Sequence, residues 1–142
     1  MSSSLSPIAS PSRTVTELDY VRISNMVRRL AASGEATPSV GALMDFADLV
    51  PSREVAPDVV TMYTRVAVLD PVTRVRRELT VCYPPDADVG TGCVSVLSPV
   101  GGALLGMSVG AIATWTTPDG HQERAQVQAI LFQPEASGDF TA

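Results

Sequence analysis

Apolar positions along the chain follow two different periods, and the change between them divides it. Ile23, Met26, Val27 and Leu30 fall at i, i+3, i+4 and i+7, one face of an α-helix, and Leu18 extends the stripe. Thr14-Val15-Thr16-Glu17 ahead of it is a capping-box pattern, so a helix is predicted over about residues 16–32. Ser33-Gly34-Glu35-Ala36 breaks it. Thr37-Pro38 then offers an N-cap followed by a helix-starting proline, with Val40, Leu43, Ala47 and Val50 as a second stripe that Pro51 stops. Two helices joined by about five residues predict a short antiparallel hairpin over residues 14–52, with arms of roughly 25 and 20 Å. Residues 53–57 read as a linker.

Beyond the linker the period becomes that of strands. Val59–Leu69 is β-branched and apolar, and Asp70-Pro71 marks a turn. Leu79, Val81 and Tyr83 alternate with Glu78, Thr80 and Cys82, until Pro84-Pro85-Asp86 ends the run. Val94–Leu97 is a short strand. Ile112–Thr117 and Glu123–Phe132 flank Pro118-Asp119-Gly120, a hairpin turn. Between these runs, Leu97–Gly110 reads LSPVGGALLGMSVG. Ser98 suits an N-cap, Pro99 the first helical position and Gly106 the left-handed residue after the last turn. That predicts a helix of about seven residues. None of Val100, Leu104 or Leu105 does bond chemistry, so the segment reads as a docking or packing element. The fold class is α+β: a helical hairpin, then a four- or five-stranded antiparallel sheet with one short helix.

Composition narrows the functional classes. The 142 residues are 45% hydrophobic but only 5% aromatic, so one modest core of Val, Leu, Ile and Ala is expected. No apolar run reaches the roughly 18 residues that span a bilayer. The opening MSSSLSPIASPS has no basic stretch before an apolar one, so residues 1–13 read as a Ser/Pro-rich flexible tail rather than a secretory signal. All ten basic residues are Arg against 15 acidic ones, a net charge of −5 without a basic cluster; this argues against direct nucleic-acid binding. Cys82, Cys93 and the sole His121 are too few for a metal site, and the cysteines read as reduced, buried thiols of a cytoplasmic protein. Gly101-Gly102 and Gly106 lack the Gly-Lys-Ser/Thr of a phosphate loop, and Ser98 lacks a Gly-x-Ser-x-Gly elbow. No catalytic residue, cofactor or metal is expected.

The Ser-Pro segment also resembles the SP-x-(G/A)-x-x-L-x-G signature in the C-terminal domain of Gre-type transcript-cleavage factors. A wider set of blocks, DVVTM from Asp58, YPPD from Tyr83, SPVGGALLG, TPDG, and Gln133-Pro134-Glu135-Ala136 with Gly138-Asp139, is similar to a sister group, the regulators of nucleoside diphosphate kinase. The resemblance implies an FKBP-like sheet domain over residues 58–142 and a transcription regulator that binds RNA polymerase. The contact implied is the largest-subunit rim of the secondary channel, made by Ser98, Pro99, Gly101, Leu104, Leu105 and Gly106, by a monomer in the cytoplasm. The cleavage factors usually place Lys after the last glycine of the signature, where this chain has Met107. They also carry acidic residues at the hairpin tip, which help to hold a catalytic Mg²⁺. Here the tip offers Glu35 alone, with Glu17, Asp19, Asp45 and Asp48 toward the base, so no cleavage activity is expected. The chain would compete with Gre-type factors by occupancy and affect nucleoside diphosphate kinase indirectly. The alternatives are a binding module for another cytoplasmic partner, or a prolyl isomerase using Tyr63, Tyr83, Trp115 and Phe132, which the fold alone suggests.

Overall fold

The computed structural model describes residues 13–34, Met44 and residues 47–139. Strand β1 (Thr14–Thr16) runs directly into helix α1 (Glu17–Ala32). The N-cap is Thr16, whose hydroxyl accepts the Asp19 amide at 3.1 Å. The predicted helix is thus present, with its cap two residues later than the Thr14 box suggests. Strand β2 (Asp48–Val50) pairs parallel with β1, Thr14 opposite Asp48 and Thr16 opposite Val50. This corrects the expected second helix at its end, where Val50 is extended. Residues 35–43 and 45–46, the tip and most of that expected helix, lie outside the described residues.

Five further strands form one sheet: β3 (Arg65–Leu69), β4 (Arg76–Cys82), β5 (Cys93–Ser95), β6 (Ile112–Thr116) and β7 (Gln122–Phe132), in the order β5-β4-β3-β7-β6. All pairs are antiparallel except β4 with β5, which is parallel, so the sheet is mixed rather than wholly antiparallel. Two register shifts in the β3–β7 ladder increase the local bend of the sheet. Helix α2 (Pro99–Leu104) follows β5.

The long run from Val59 is not one strand. Val59 makes a single bridge to Ser108, and the chain turns at Thr61–Thr64 before β3 begins. Thr64 Oγ1 accepts the Thr61 amide at 2.9 Å, which takes that donor from any strand ladder. Tyr63 sits at φ +64°, a conformation a β-branched strand former would resist.

One core spans the described residues. Val66, Val68, Val81, Ala113 and Val127 of the sheet pack with Leu104 of α2, and also with Val15 of β1, Ile23 of α1 and Met44. Ile23 is fully buried, whereas Arg28, Arg29 and residues 31–34 are exposed. Helix α1, about 24 Å long at 1.5 Å per residue, is therefore rooted in the sheet's core and extends away from it.

Candidate functional site

The Ser98–Gly106 segment is built by local chemistry. Ser98 Oγ accepts the Gly101 amide at 3.2 Å and donates to the Ser95 carbonyl at 2.6 Å. Gly101 lets α2 lie on the preceding strand: a Cβ there would sit 2.0 Å from the Ser95 carbonyl oxygen. Gly106 ends the segment at φ +82°. The cap, the helix and the stop all stand where the sequence places them.

The six residues divide sharply by exposure. Pro99 is exposed and Ser98 half-buried, but Gly101, Leu104, Leu105 and Gly106 are buried. Leu104 and Leu105 are core side chains, 0% and 2% exposed. Both face inward because the six-residue helix ends between them, and the chain reverses at Gly106 before Leu105 could turn outward. The apolar surface next to Pro99 is supplied instead by Val100, Val94 and Leu79. They line a groove of about 490 Å³ with Arg77 and Glu78 at its rim. Sequence reasoning placed Val100 in the docking segment but missed Val94 and Leu79, which come from separate strands that only the fold brings to α2.

Arg13, read from sequence as the end of the tail, is fixed against this segment. Its Nη1 donates to the Leu105 carbonyl at 2.7 Å and the Gly102 carbonyl at 3.1 Å. Burial lowers the pKa of its guanidinium. The Thr14 amide donates to the Gly106 carbonyl at 3.0 Å, and the Gly106 amide to the Val60 carbonyl at 2.8 Å.

Beneath the root of α1 lies a buried polar cluster. Asp19 Oδ2 accepts the Met62 amide at 3.2 Å. Thr61 Oγ1 donates to Glu135 Oε1 at 2.7 Å and lies 2.8 Å from Thr64 Oγ1. Gln133 Nε2 donates to the carbonyls of Ala56 and Val59, each at 2.8 Å. Burial pushes the Asp19 carboxyl up to about 6, with the Glu135 charge adding to the rise, while the Met62 amide, Thr16 and Arg22 oppose it. Tyr83 beside them is pushed up to about 12 by burial and by the Asp19 charge. The two outermost sequence blocks, DVVTM and QPEASGD, therefore meet each other through Thr61–Glu135 and Val59–Gln133. Their chemistry closes the fold, and the signal for it was that the two blocks occur together.

The remaining candidates separate in space. Trp115 lines a groove with Val68, Val72 and Arg77, whereas Tyr83 lines another with Arg22, Asn25, Met26 and Arg29. Tyr63 packs on Tyr83 with ring centroids 5.8 Å apart, and Phe132 is exposed. Cys82 is buried and Cys93 half-buried, both free; burial pushes the Cys82 thiol up to about 11, with the Cys93 thiol beside it contributing. His121 pairs with Asp119 at 3.1 Å in the exposed β6–β7 turn. Among the described residues, no three of His, Cys, Asp or Glu come together as metal ligands would. No described helix is long and apolar enough to cross a membrane.

This architecture and its motifs have counterparts. The family model for the transcription elongation factor GreA/GreB C-terminal domain matches residues 55–132. The regulator of nucleoside diphosphate kinase of Escherichia coli K12 is 34% identical over 134 residues, 92% of this chain and 96% of that protein. Transcription elongation factor GreA of Flavobacterium johnsoniae is 38% identical over 61 residues, 43% of this chain and 39% of its own length. Among solved structures, a prokaryotic transcription elongation factor GreA/GreB from Nitrosomonas europaea superposes with a TM-score of 0.69 at 28% identity, over 85% of this chain and 100% of that one. The chain belongs to the regulator of nucleoside diphosphate kinase family and carries the GreA/GreB C-terminal domain.

Proposed function

We propose that this protein is a transcription regulator that binds RNA polymerase at the largest-subunit rim of the secondary channel. It competes there with Gre-type factors, does not stimulate transcript cleavage, and affects nucleoside diphosphate kinase indirectly. The observation that carries the reading is the Ser-Pro turn of a GreA/GreB-type domain, with Pro99 exposed and the adjoining Val100 lining a groove with Val94 and Leu79. A rigid, proline-led turn beside an apolar groove suits a protein partner, because the turn presets the backbone and the groove takes an apolar side chain. Ser98 and Pro99 are the contact residues of this reading, while Gly101, Leu104, Leu105 and Gly106 shape the surface from beneath. Of the acidic residues of α1, Asp19 is engaged inside the fold, and Glu17 stands at the root of the helix rather than its far end.

The test is binding of the labelled full chain to core RNA polymerase, with GreA as competitor. Pro99→Arg combined with Val100→Asp is the informative variant. Both positions lie in the first turn of α2, where an acidic residue is compatible with the helix; because Val100 is half-buried against the core, the fold of the variant is checked by circular dichroism. Binding should weaken by about tenfold or more, as interface truncations of this size do. A folded variant that binds like the wild type removes this surface from the reading. In backtracked elongation complexes with Mg²⁺, the chain should release no 3′ RNA fragments; dose-dependent release that Glu35→Ala abolishes would overturn the statement on cleavage.

A further inference from the structure

We propose that Arg13 is a positioning residue that joins the strand entering α1 to the Ser98–Gly106 segment, so that the helix and the docking turn meet their partner as one rigid unit. This rests on the polymerase reading above. The Gly102 and Leu105 carbonyls stand at the end of α2, where no further turn supplies them with amides. The Arg13 guanidinium bridges both, at 3.1 and 2.7 Å. A guanidinium keeps its charge even when drawn out of water, so these are charge-assisted bonds. The backbone of Arg13 is held as well, because its carbonyl accepts the Asp48 amide of β2 at 2.8 Å.

These bonds form part of a closed ring. From Arg13 it passes to Leu105 just after α2, then from Gly106 to Val60, along the chain to Met62, across to Asp19 of α1, and back through β1 to Arg13. Each crossing is a hydrogen bond between segments far apart in sequence. The space at the crossing is also close: a Cβ on Gly106 would stand 3.1 Å from both the Arg13 Cβ and the Thr14 carbonyl oxygen. Asp19 and the fully buried Ile23 hold the root of α1 on one side. Arg13 adds a second fixed point on the other side of β1, and two points define the direction in which the helix leaves the domain.

The experiment uses the full chain as wild type, Arg13→Ala and Arg13→Lys, with affinity for core RNA polymerase and amide hydrogen exchange as readouts. Arg13→Ala should bind about tenfold more weakly. Its exchange should speed at Thr14 and Gly106 while Val66 of β3 and Val127 of β7, whose amide donates to the Ala111 carbonyl, keep their wild-type rates. Arg13→Lys should recover part of both effects, since an ammonium is a cationic donor that can serve both carbonyls as the single Nη1 does, but on a side chain one bond shorter. Unchanged affinity of Arg13→Ala overturns the proposal, as does uniformly faster exchange, which would mark a purely structural role. If the wild type itself fails to bind polymerase, the functional reading falls. The local exchange pattern at Thr14 and Gly106 then decides the joint on its own.

Discussion

Asp19 is held in a setting that disfavours its charge. Its carboxyl is pushed from 3.8 to about 6, so between those values the folded chain carries a proton that the unfolded chain has released. Acidification through that window stabilises the fold, and above it the ionised Asp19 costs up to about 3 kcal/mol at 1.36 kcal/mol per pKa unit. Asp19→Asn keeps an acceptor for the Met62 amide and removes the titration. The stability of the variant relative to wild type, from urea unfolding, should therefore be about 2 kcal/mol more favourable at pH 8 than at pH 4.5. A difference that does not move with pH would show that Asp19 titrates normally. Gly101 gives an equally local expectation of the opposite sign. Glycine to alanine inside a helix normally stabilises by about 1 kcal/mol. Here the methyl would overlap the Ser95 carbonyl, so Gly101→Ala should destabilise by about 3 kcal/mol or more, visible as a lowered melting temperature.

At the level of elements, what is legible in the sequence is what short-range chemistry decides. Helix α2 was readable from Ser98, Pro99 and Gly106, since cap, start and stop lie within one short segment. Its cap is also testable: Ser98→Ala removes an acceptor for Gly101 and a donor to Ser95, and should cost about 1–2 kcal/mol in denaturant unfolding. Strand β2 was not readable. Its three residues are too few to show a period, and Val50 completes a helical stripe with Leu43 and Ala47. What makes Asp48–Val50 a strand is its parallel pairing with β1, a contact between distant segments. The parallel β4–β5 pair escaped for the same reason. At the candidate site, sequence identified the turn but not its surface. Both Leu104 and Leu105 point inward, and two of the apolar residues lining the groove beside Val100 come from other strands.

Across the whole molecule, described residues from the segment expected as a hairpin and from the sheet share one core. Val15 and Ile23 belong to the same buried cluster as Leu104 and the sheet's inward residues. A fragment of residues 53–139 would uncover that surface and leave the Met62 amide without Asp19. It should melt well below the full chain, or aggregate, in scanning calorimetry. Residues 13–52 alone should show weak helicity by circular dichroism, because a helix of 16 residues is close to the roughly 12–15-residue length that is marginal in water. A cooperative melt of that fragment as a monomer would contradict this. Removing residues 1–12 leaves Arg13 in place and should change neither melting temperature nor partner binding.

The bond from Arg13 to Leu105 closes a loop of 92 residues, and this sets an order of events during synthesis. The ribosome releases β1 and α1 first, yet their anchors at Met62, Leu105 and Gly106 emerge much later. The apolar face of α1 must wait, uncovered, until α2 has been made. Long-range closure of this kind slows folding and exposes sticky surface in the interval. The beginning of the chain is thus among the last parts to reach its place, and a nascent chain halted before Leu105 should depend on chaperones where the finished one does not.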